Sequence, residues 1–386
     1  MENKEAEEKE KVLCVSFNQD GSCFGVGTEK GFRIYNTYPL KLAVKREMDG
    51  GIGIIEMLSR CNIIALVGGG SNPNYDKNKV ILYDDSQAKV IREIILIYSV
   101  LNIKLERTKI FIIGENQINV FAFSNNYSNI DSINTYQNKQ GIIGISYAVN
   151  SNLICYQSSL GEVTIKNYGI KKDNNYETTT IKAHQSEIIA LTMNNDGSLL
   201  ASASEKGTII RIYQTKDGDL IQELRRGLKT SEIFSLVFNY NSKYLACSSS
   251  QGTVHIFCVK NEQNEVQNQK SVLGYIANFI GFKNDYLNSE WSFAQYHLQL
   301  TSKSFISFNS MNLKSIIVIT LDGKYYQGEF DEKAGGECST SLTRDYMEID
   351  IEKDDDEWKY YLKIIIWIIE INNTILIILL NETNFN

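Results

Sequence analysis

One pattern of short β-type segments recurs along the chain and constrains its fold more than any other feature of the sequence. Each copy has an alternating apolar strand, a polar turn with Asn, Asp or Gly, a strand of small residues, a Gly turn and a second apolar strand. The clearest copy reads IIALTMNNDGSLLASASEKGTIIRIY. The seven copies cover residues 12–35, 54–83, 100–123, 142–168, 188–213, 233–257 and 291–330. Such regularity indicates that one supersecondary unit is used repeatedly.

The repeat predicts an all-β protein, namely a seven-bladed WD-repeat-like β-propeller over residues 11–350. Short alternating segments between turn residues are the β signal, and no long segment with a 3.6-residue period competes with them. The copies start a few tens of residues apart, near the length of a WD-repeat blade. The WD dipeptide is missing, since copies end in pairs such as Ile34-Tyr35 and Ile212-Tyr213. A β-sandwich is the alternative, but regular repetition favours radial symmetry.

Composition limits the partners that a chain of 386 residues with 43% hydrophobic residues could have. The formal net charge of −7 argues against nucleic-acid binding, which needs a basic face. It also argues against nonspecific adhesion to anionic lipid, so any membrane affinity must come from a defined local site. Residues 1–10 form a charged tail without the apolar segment of a signal peptide. The seven cysteines include no CxxC pair, which points to neither disulfides nor zinc and favours a cytoplasmic location.

Nothing in the sequence predicts an enzyme, a cofactor or a metal site. No nucleophile elbow, phosphate-binding loop or zinc-ligand spacing occurs, and Gly68-Gly69-Gly70 is not followed by Gly-Lys-Ser/Thr. Only three histidines are present, which leaves little scope for acid–base chemistry. We therefore expect a binding protein.

A pair of arginines, Arg225 and Arg226, lies between the fifth and sixth copies in the segment LIQELRRG. Successive side chains of an extended chain point to opposite sides, so the two arginines can serve two neighbouring pockets. Each guanidinium is a planar fork that suits bidentate contact with phosphate oxygens. Gly227 lets the chain turn away after two bulky side chains. Taken alone, such a pair is more often a solvated charge pair on a surface turn.

The Leu224–Gly227 motif resembles the Phe/Leu-Arg-Arg-Gly motif of the PROPPINs, seven-bladed propellers that bind phosphatidylinositol 3-phosphate and 3,5-bisphosphate. The resemblance extends over roughly residues 10–350, and FNQDGSCFGVGTEKGFRIYN (17–36) is similar to the shorter, Leu-Arg-Arg-Gly branch of the family. Membership would imply a monomeric, peripheral membrane adaptor of autophagy that recruits protein partners. It would act on autophagic precursor (phagophore), endosomal or vacuolar membranes.

The resemblance also implies which residues surround each arginine. Hydroxyls and imidazoles would add phosphate donors around Arg225 at His184, Ser202, Ser204, Thr208 and Arg211. Around Arg226 the corresponding residues are Ser249, Thr253 and His255. Singly, these serines and threonines could be ordinary strand residues, and the histidines could be structural. Their occurrence in register with Arg-Arg-Gly across two adjacent copies favours the binding interpretation.

A long insertion, residues 260–290, interrupts the sixth blade and is unusual for a compact domain. Its second half, SVLGYIANFIGF (271–282), is apolar. By resemblance this is a membrane-inserting loop, and the inserting residues would be Leu273, Ile276, Phe279 and Ile280. The alternative is a loop that covers the propeller flank or is disordered. Insertion would combine with two weak headgroup pockets into one multivalent membrane contact.

Protein partners are also implied, because this branch of the family binds an autophagic lipid-transfer protein. Asn18 and Asp20 of the first copy resemble residues used in that contact. A simple Asn-Gln-Asp-Gly turn would explain the same residues without a partner. The main alternative function is a propeller scaffold that binds proteins but no lipid.

The C-terminal tail, residues 351–386, does not match the repeat. Its apolar stretch 361–380 is long enough for a transmembrane helix, but Lys363 and Glu370 would be costly at bilayer depth. The same stretch would also suit an added β-hairpin, or it could be translated non-coding sequence. The sequence leaves all three possibilities open.

Overall fold

The computed structural model describes residues 10–124, 126–149, 151–173, 175–260, 267–270, 290–298 and 302–350. Within these ranges the chain folds into 30 β-strands and one short 3-10 helix, Tyr346–Glu348. The all-β prediction is therefore confirmed.

The strands of the first half form four antiparallel sheets of four consecutive strands each. The first unit contains β1 to β4, at Val12–Phe17, Cys23–Thr28, Gly31–Thr37 and Leu40–Glu47. The second contains β5 to β8, at Ile52–Met57, Ile63–Gly68, Lys79–Asp84 and Lys89–Ile95. The third contains β9 to β12, at Asn102–Leu105, Lys109–Ile113, Gln117–Ala122 and Asn129–Asn134. The fourth contains β13 to β16, at Gly144–Ile145, Leu153–Ser159, Glu162–Lys172 and Asn175–Lys182.

The second half repeats this unit with two additions. The fifth unit contains β17 to β20, at Ile188–Met193, Leu199–Ser204, Ile209–Gln214 and Leu220–Arg225. Two short strands extend it, β24 (Gln269–Lys270) and β25 (Glu290–Trp291). The sixth unit contains β21, β22, β23 and β26, at Ile233–Phe238, Tyr244–Ser249, Thr253–Cys258 and Ala294–His297. The seventh contains β27 to β30, at Ser304–Phe308, Ser315–Thr320, Lys324–Asp331 and Gly335–Asp345. A two-residue parallel pairing of β26 with β30 joins the last two units into one eight-stranded sheet.

The predicted start of the seventh copy at Trp291 is wrong. Trp291 belongs to β25, which pairs with β20 of the fifth unit, and β26 completes the sixth unit. The physical reason is the insertion, which separates the third and fourth strands of the sixth unit instead of following a completed unit. The seventh unit begins at Ser304.

Apolar clusters between neighbouring units hold the described part of the ring together. Each of the seven clusters mainly combines residues of two adjacent units, as where Ala203 and Leu224 of the fifth meet Leu245 and Phe257 of the sixth. One cluster joins Phe24 of the first unit to Ile317 of the seventh and so closes the ring. Fully burying one such side chain stabilises the fold by about 1.5–3 kcal/mol.

The recurring Asn of the polar turn has a structural role. The side-chain Oδ1 of Asn18, of Asn194 and of Asn239 accepts a hydrogen bond from the backbone N–H five residues later, at 2.8–3.0 Å. Asn18 Nδ2 also donates to the carbonyl of Ser59 in the second unit, at 3.2 Å. The repeated Asn therefore fixes its own turn and, in the first and fifth units, also ties that turn to the next unit.

A buried hydroxyl contributes to ring closure beside this apolar cluster, which allows a test of stability. Tyr325 of the seventh unit donates its hydroxyl proton to the carbonyl of Thr37 in the first unit, at 2.8 Å. Tyr325→Phe should lower the free energy of unfolding by about 1–3 kcal/mol, because it leaves a buried acceptor unsatisfied. Urea unfolding measures the change. The control is Tyr326→Phe on the adjacent residue of β29; equal losses in both variants would contradict this account of closure.

Candidate functional site

The pairing of β20 with its neighbours sends the two arginines to different sides of the fifth unit. Leu224 is fully buried in the cluster between the fifth and sixth units. Arg225 pairs with Ile209 and therefore lies on the opposite face of the sheet from Leu224, the face turned toward the fourth unit. Arg226 continues the ladder, since its backbone N–H donates to the carbonyl of Thr208 at 2.9 Å. By the same alternation its side chain points toward the sixth unit.

The face toward the fourth unit brings three of the predicted residues together. His184 Nε2 and Ser202 Oγ are 3.0 Å apart, and Ser202 pairs with Arg211 across the sheet. Burial, with a contribution from the charge of Arg211, lowers the pKa of His184 to about 4. Ser204 lies on the same face two residues beyond Ser202, and Thr208 immediately precedes β19.

The side toward the sixth unit holds Arg226 among buried groups. Arg226 is only 4% exposed, and its Nε donates to the carbonyl of Gly207 at 2.8 Å. Its Nη2 donates to the carbonyl of Lys229. Burial lowers the pKa of this guanidinium, although an arginine stays charged at neutral pH. Among the described residues, backbone carbonyls and not a carboxylate thus hold the charged group in place.

The sixth unit presents the second histidine to Arg226. Burial, followed by the charges of Arg226 and His297, lowers the pKa of His255 to about 4. Its Nδ1 lies 3.2 Å from Ser292 Oγ, and Thr253 Oγ1 lies 3.1 Å from His297 Nδ1. Ser249 is 1% exposed, and its Oγ has no hydrogen-bond partner among the described residues. A neutral imidazole and a hydroxyl therefore accompany the arginine on this side.

Sequence reasoning missed three residues at these sites. Glu223 accepts a hydrogen bond from Arg211, whereas Ser292 and His297 contact His255 and Thr253. Glu223 could have been found by alternation, because it lies two residues before Arg225 on the same strand. Ser292 and His297 follow the insertion, and only correct assignment of β26 to the sixth unit would have placed them here.

The ends of the insertion are attached to the strand that carries the arginines. In parallel pairing, Glu290 and Trp291 of β25 lie opposite Leu224 and Arg225, and β24 pairs with β25. Glu290 Oε2 accepts hydrogen bonds from Asn268 and from Gln222 of β20, and Lys260 forms an ion pair with Glu290 Oε1. Burial alone would raise the pKa of Glu290, but these bonds keep it lowered.

Asn18 and Asp20 differ in exposure. Asn18 is 4% exposed, and its amide is committed to Ser22, Cys23 and Ser59. Asp20 is exposed, although its Oδ1 accepts bonds from the backbone and hydroxyl of Ser22. Of the two, only Asp20 presents its side chain to solvent.

The predicted membrane-inserting residues lie outside the part of the chain that the structure describes. They are Leu273, Ile276, Phe279 and Ile280, and the same holds for the tail 351–386 and for all but the last residue of the segment 1–10. Among the described residues no helix is long and apolar enough to cross a membrane, and no cluster of His, Cys, Asp and Glu could hold a metal ion.

The fold defines the class of protein as an all-β propeller, and comparison with known proteins identifies the family. The family model described as PROPPIN matches residues 11–347. SVP1-like protein 2 of Pichia angusta is 33% identical over 290 residues, covering 74% of this chain and 81% of the relative. Autophagy-related protein 18e of Arabidopsis thaliana is 33% identical over 342 residues, covering 86% of this chain and 87% of the relative. Hsv2 of Kluyveromyces lactis with complete loop 6CD superimposes with a TM-score of 0.72 at 25% identity, covering 87% of this chain and 99% of Hsv2.

The chain belongs to the PROPPIN family. The resemblance inferred from the Leu-Arg-Arg-Gly motif is thereby confirmed, and phosphoinositide binding and a connection to autophagy are properties of that family.

Two largely buried histidines, His184 and His255, predict an acid-sensitive fold. Their pKa is about 4 in the folded protein and 6.5 for an unperturbed side chain, so between these values the unfolded chain binds more protons. The stability that these two neutral histidines contribute is therefore fully present above their unfolded pKa of 6.5, and it is lost as the pH falls toward 4. Between pH 7 and pH 5 each histidine should lower the free energy of unfolding by about 2 kcal/mol.

Urea unfolding at the two pH values measures this loss. The variant His184→Gln/His255→Gln should show a smaller loss between pH 7 and pH 5 than the wild-type protein. The single variants His184→Gln and His255→Gln serve as internal controls, and each should show a loss between that of the wild type and that of the double variant. An unchanged loss in the double variant would show that other groups cause the acid sensitivity.

Proposed function

We propose that this protein is a phosphoinositide-binding, peripheral membrane adaptor of autophagy. It binds phosphatidylinositol 3-phosphate and 3,5-bisphosphate through two pockets that flank Arg225 and Arg226, and it recruits protein partners to the membrane. The observation that supports this most is the position of two adjacent, buried arginines on opposite faces of one strand, each face carrying a largely buried, uncharged histidine and a serine hydroxyl.

The chemistry of the two sides suits a phosphate monoester. Guanidinium groups supply charge-assisted donors, and hydroxyls and neutral imidazoles add donors without adding net charge. A bound phosphate would favour protonation of either imidazole, because a nearby negative charge stabilises the cation. Such local sites are needed, since the chain as a whole carries a net charge of −7 and would be repelled by an anionic surface.

We also infer that the propeller has seven blades. The eight-stranded sheet consists of two four-stranded antiparallel units, and only the parallel pairing of β26 with β30 merges them. Seven clusters between neighbouring units of the described chain, including the one between first and last, support the same number. The candidate pockets then lie at the junctions of the fifth blade with the fourth and the sixth.

Membrane insertion of residues 271–282 remains part of the proposal. Its support is the apolar sequence of this segment and the attachment of its ends to the strand that carries the arginines. Two headgroup pockets and one inserting loop would act on the same surface, so their affinities would combine. The proposed location is the cytoplasmic face of phagophore, endosomal or vacuolar membranes, without nucleic-acid binding or catalysis.

The exposed Asp20 supports a protein contact with an autophagic lipid-transfer protein, for which the buried Asn18 would fix the shape of the turn. The second candidate function is a scaffold that binds proteins but no lipid. The arginine pair separates the two functions, because a scaffold without lipid binding would not need it.

The arginine pair gives the direct test of the proposal. Arg225→Thr/Arg226→Thr should abolish flotation with liposomes that contain phosphatidylinositol 3-phosphate. Each lost pocket should cost about 1.5–3 kcal/mol, roughly ten- to a hundredfold in affinity. Arg46→Thr/Arg92→Thr makes the same charge change in the first and second units and should float like the wild type.

Thermal unfolding must show that the double variant is folded, since Arg226 also bonds two backbone carbonyls. If the threonine variant is unfolded, Arg225→Lys/Arg226→Lys keeps both charges and should still weaken flotation, because the planar forks are lost. Undiminished flotation of a folded arginine variant would refute lipid binding at this site and favour the scaffold.

Two separate pockets should appear as two binding events. Calorimetry with inositol 1,3-bisphosphate should give a stoichiometry near two for the wild type. Thr208→Ala/Arg211→Ala and Thr253→Ala/His255→Ala should each reduce it to one, and the combination should remove binding. A wild-type stoichiometry of one that either pair abolishes would mean a single shared pocket.

A further inference from the structure

A carboxylate lies among the cationic groups on the side toward the fourth unit. Glu223 Oε2 accepts a hydrogen bond from Arg211 Nε at 2.9 Å, and the two side chains are 25% and 29% exposed. Glu223 pairs with Arg211 across the sheet and lies two residues before Arg225, so all three share one face. A carboxylate in an anion site needs an explanation, because it repels phosphate and competes for the same guanidinium.

Glu223 leaves Arg211 able to bind a second anion. Arg211 Nη1 donates to the carbonyl of Ala183 at 2.8 Å. A guanidinium has five N–H donors, and the bonds to Glu223 and Ala183 use two of them. Arg211 could therefore contact a phosphate while it remains paired with Glu223. The carboxylate would then lie beside the ligand and face whatever group is next to the phosphate.

We propose that Glu223 is the specificity-determining residue of the pocket between the fourth and fifth units. It accepts a hydrogen bond from an inositol hydroxyl next to the bound phosphate, and it repels a ligand with a second phosphate at that position. An ionised carboxylate is only an acceptor, so it matches a hydroxyl donor and opposes a phosphate dianion. The pocket would thus take a phosphomonoester flanked by a free hydroxyl. This inference rests on the proposed function.

The experiment isolates the pocket and removes the charge. In the background Thr253→Ala/His255→Ala, calorimetry measures the dissociation constants of inositol 1,3-bisphosphate and of inositol 1,3,4-trisphosphate, which carries adjacent phosphates. The background protein should prefer the bisphosphate. Glu223→Gln should reduce this preference by about tenfold, mainly because the trisphosphate binds more tightly.

Two variants separate local repulsion from other effects. Glu223→Asp keeps the charge and should retain most of the preference. Glu93→Gln, on β8 of the second unit, makes the same change in net charge away from the pocket and should leave the preference unaltered. Thermal unfolding checks that each variant is folded, and the Asp variant supplies the comparison if the Gln variant is unstable.

The outcomes distinguish this inference from the function on which it rests. If neither the wild type nor the background protein binds either probe, the proposed function is wrong and Glu223 has no such role. If the background binds the bisphosphate but shows no preference, or Glu223→Gln keeps the preference, only the role of Glu223 is refuted. Equal tightening of both ligands by Glu223→Gln and Glu93→Gln would also refute it, because it would show general charge repulsion.

Discussion

Burial of both faces of the inner strands between neighbouring sheets is the constraint on which the rest of the structure depends. Adjacent residues of one strand enter two different interfaces, and burial of a polar side chain there is costly unless it finds hydrogen bonds. In β20 this rule places Leu224 against the sixth unit and Arg225 on the opposite face. Arg226 satisfies this requirement because it donates hydrogen bonds to the carbonyls of Gly207 and Lys229. An arginine pair that could have been solvated is therefore built into two junctions of the ring.

The same burial sets the electrostatics of these junctions. Removal from water lowers the pKa of His184 and His255, and the neighbouring arginines lower it further, so both imidazoles are neutral at physiological pH. Positive charge then comes from guanidinium groups held in fixed positions, not from a basic surface. Under the proposed function, this arrangement would let a chain with a net charge of −7 bind anions locally. The two histidines that are predicted to make the fold acid-sensitive are also those whose protonation a bound phosphate would favour.

Most of the fold could be predicted from the sequence because period-2 alternation and the polar turns are local signals. The repeated Asn, for example, is bonded within its own turn, as Asn18 is to Cys23. The error at Trp291 arose where a local rule could not tell an insertion inside a unit from a boundary between units. Much of the candidate site could be predicted from the sequence for the same local reason, since alternation along the strand separates Arg225 from Arg226. Contacts across strands, such as Arg211 with Glu223 and Thr253 with His297, depend on register and could not be read along the chain.

Register also determines how the insertion relates to the arginines. The chain reaches residues 271–289 from β24 and leaves them through β25, and β25 pairs with β20 at Leu224 and Arg225. Glu290 strengthens this attachment by accepting bonds from Asn268 and from Gln222 of β20 itself. Both ends of the insertion are thus held against the arginine-bearing strand instead of hanging from the sixth unit alone. In the proposed function, the insertion and the two candidate pockets would thus be tethered to one strand, and such a tether raises the effective concentration on which multivalent binding depends.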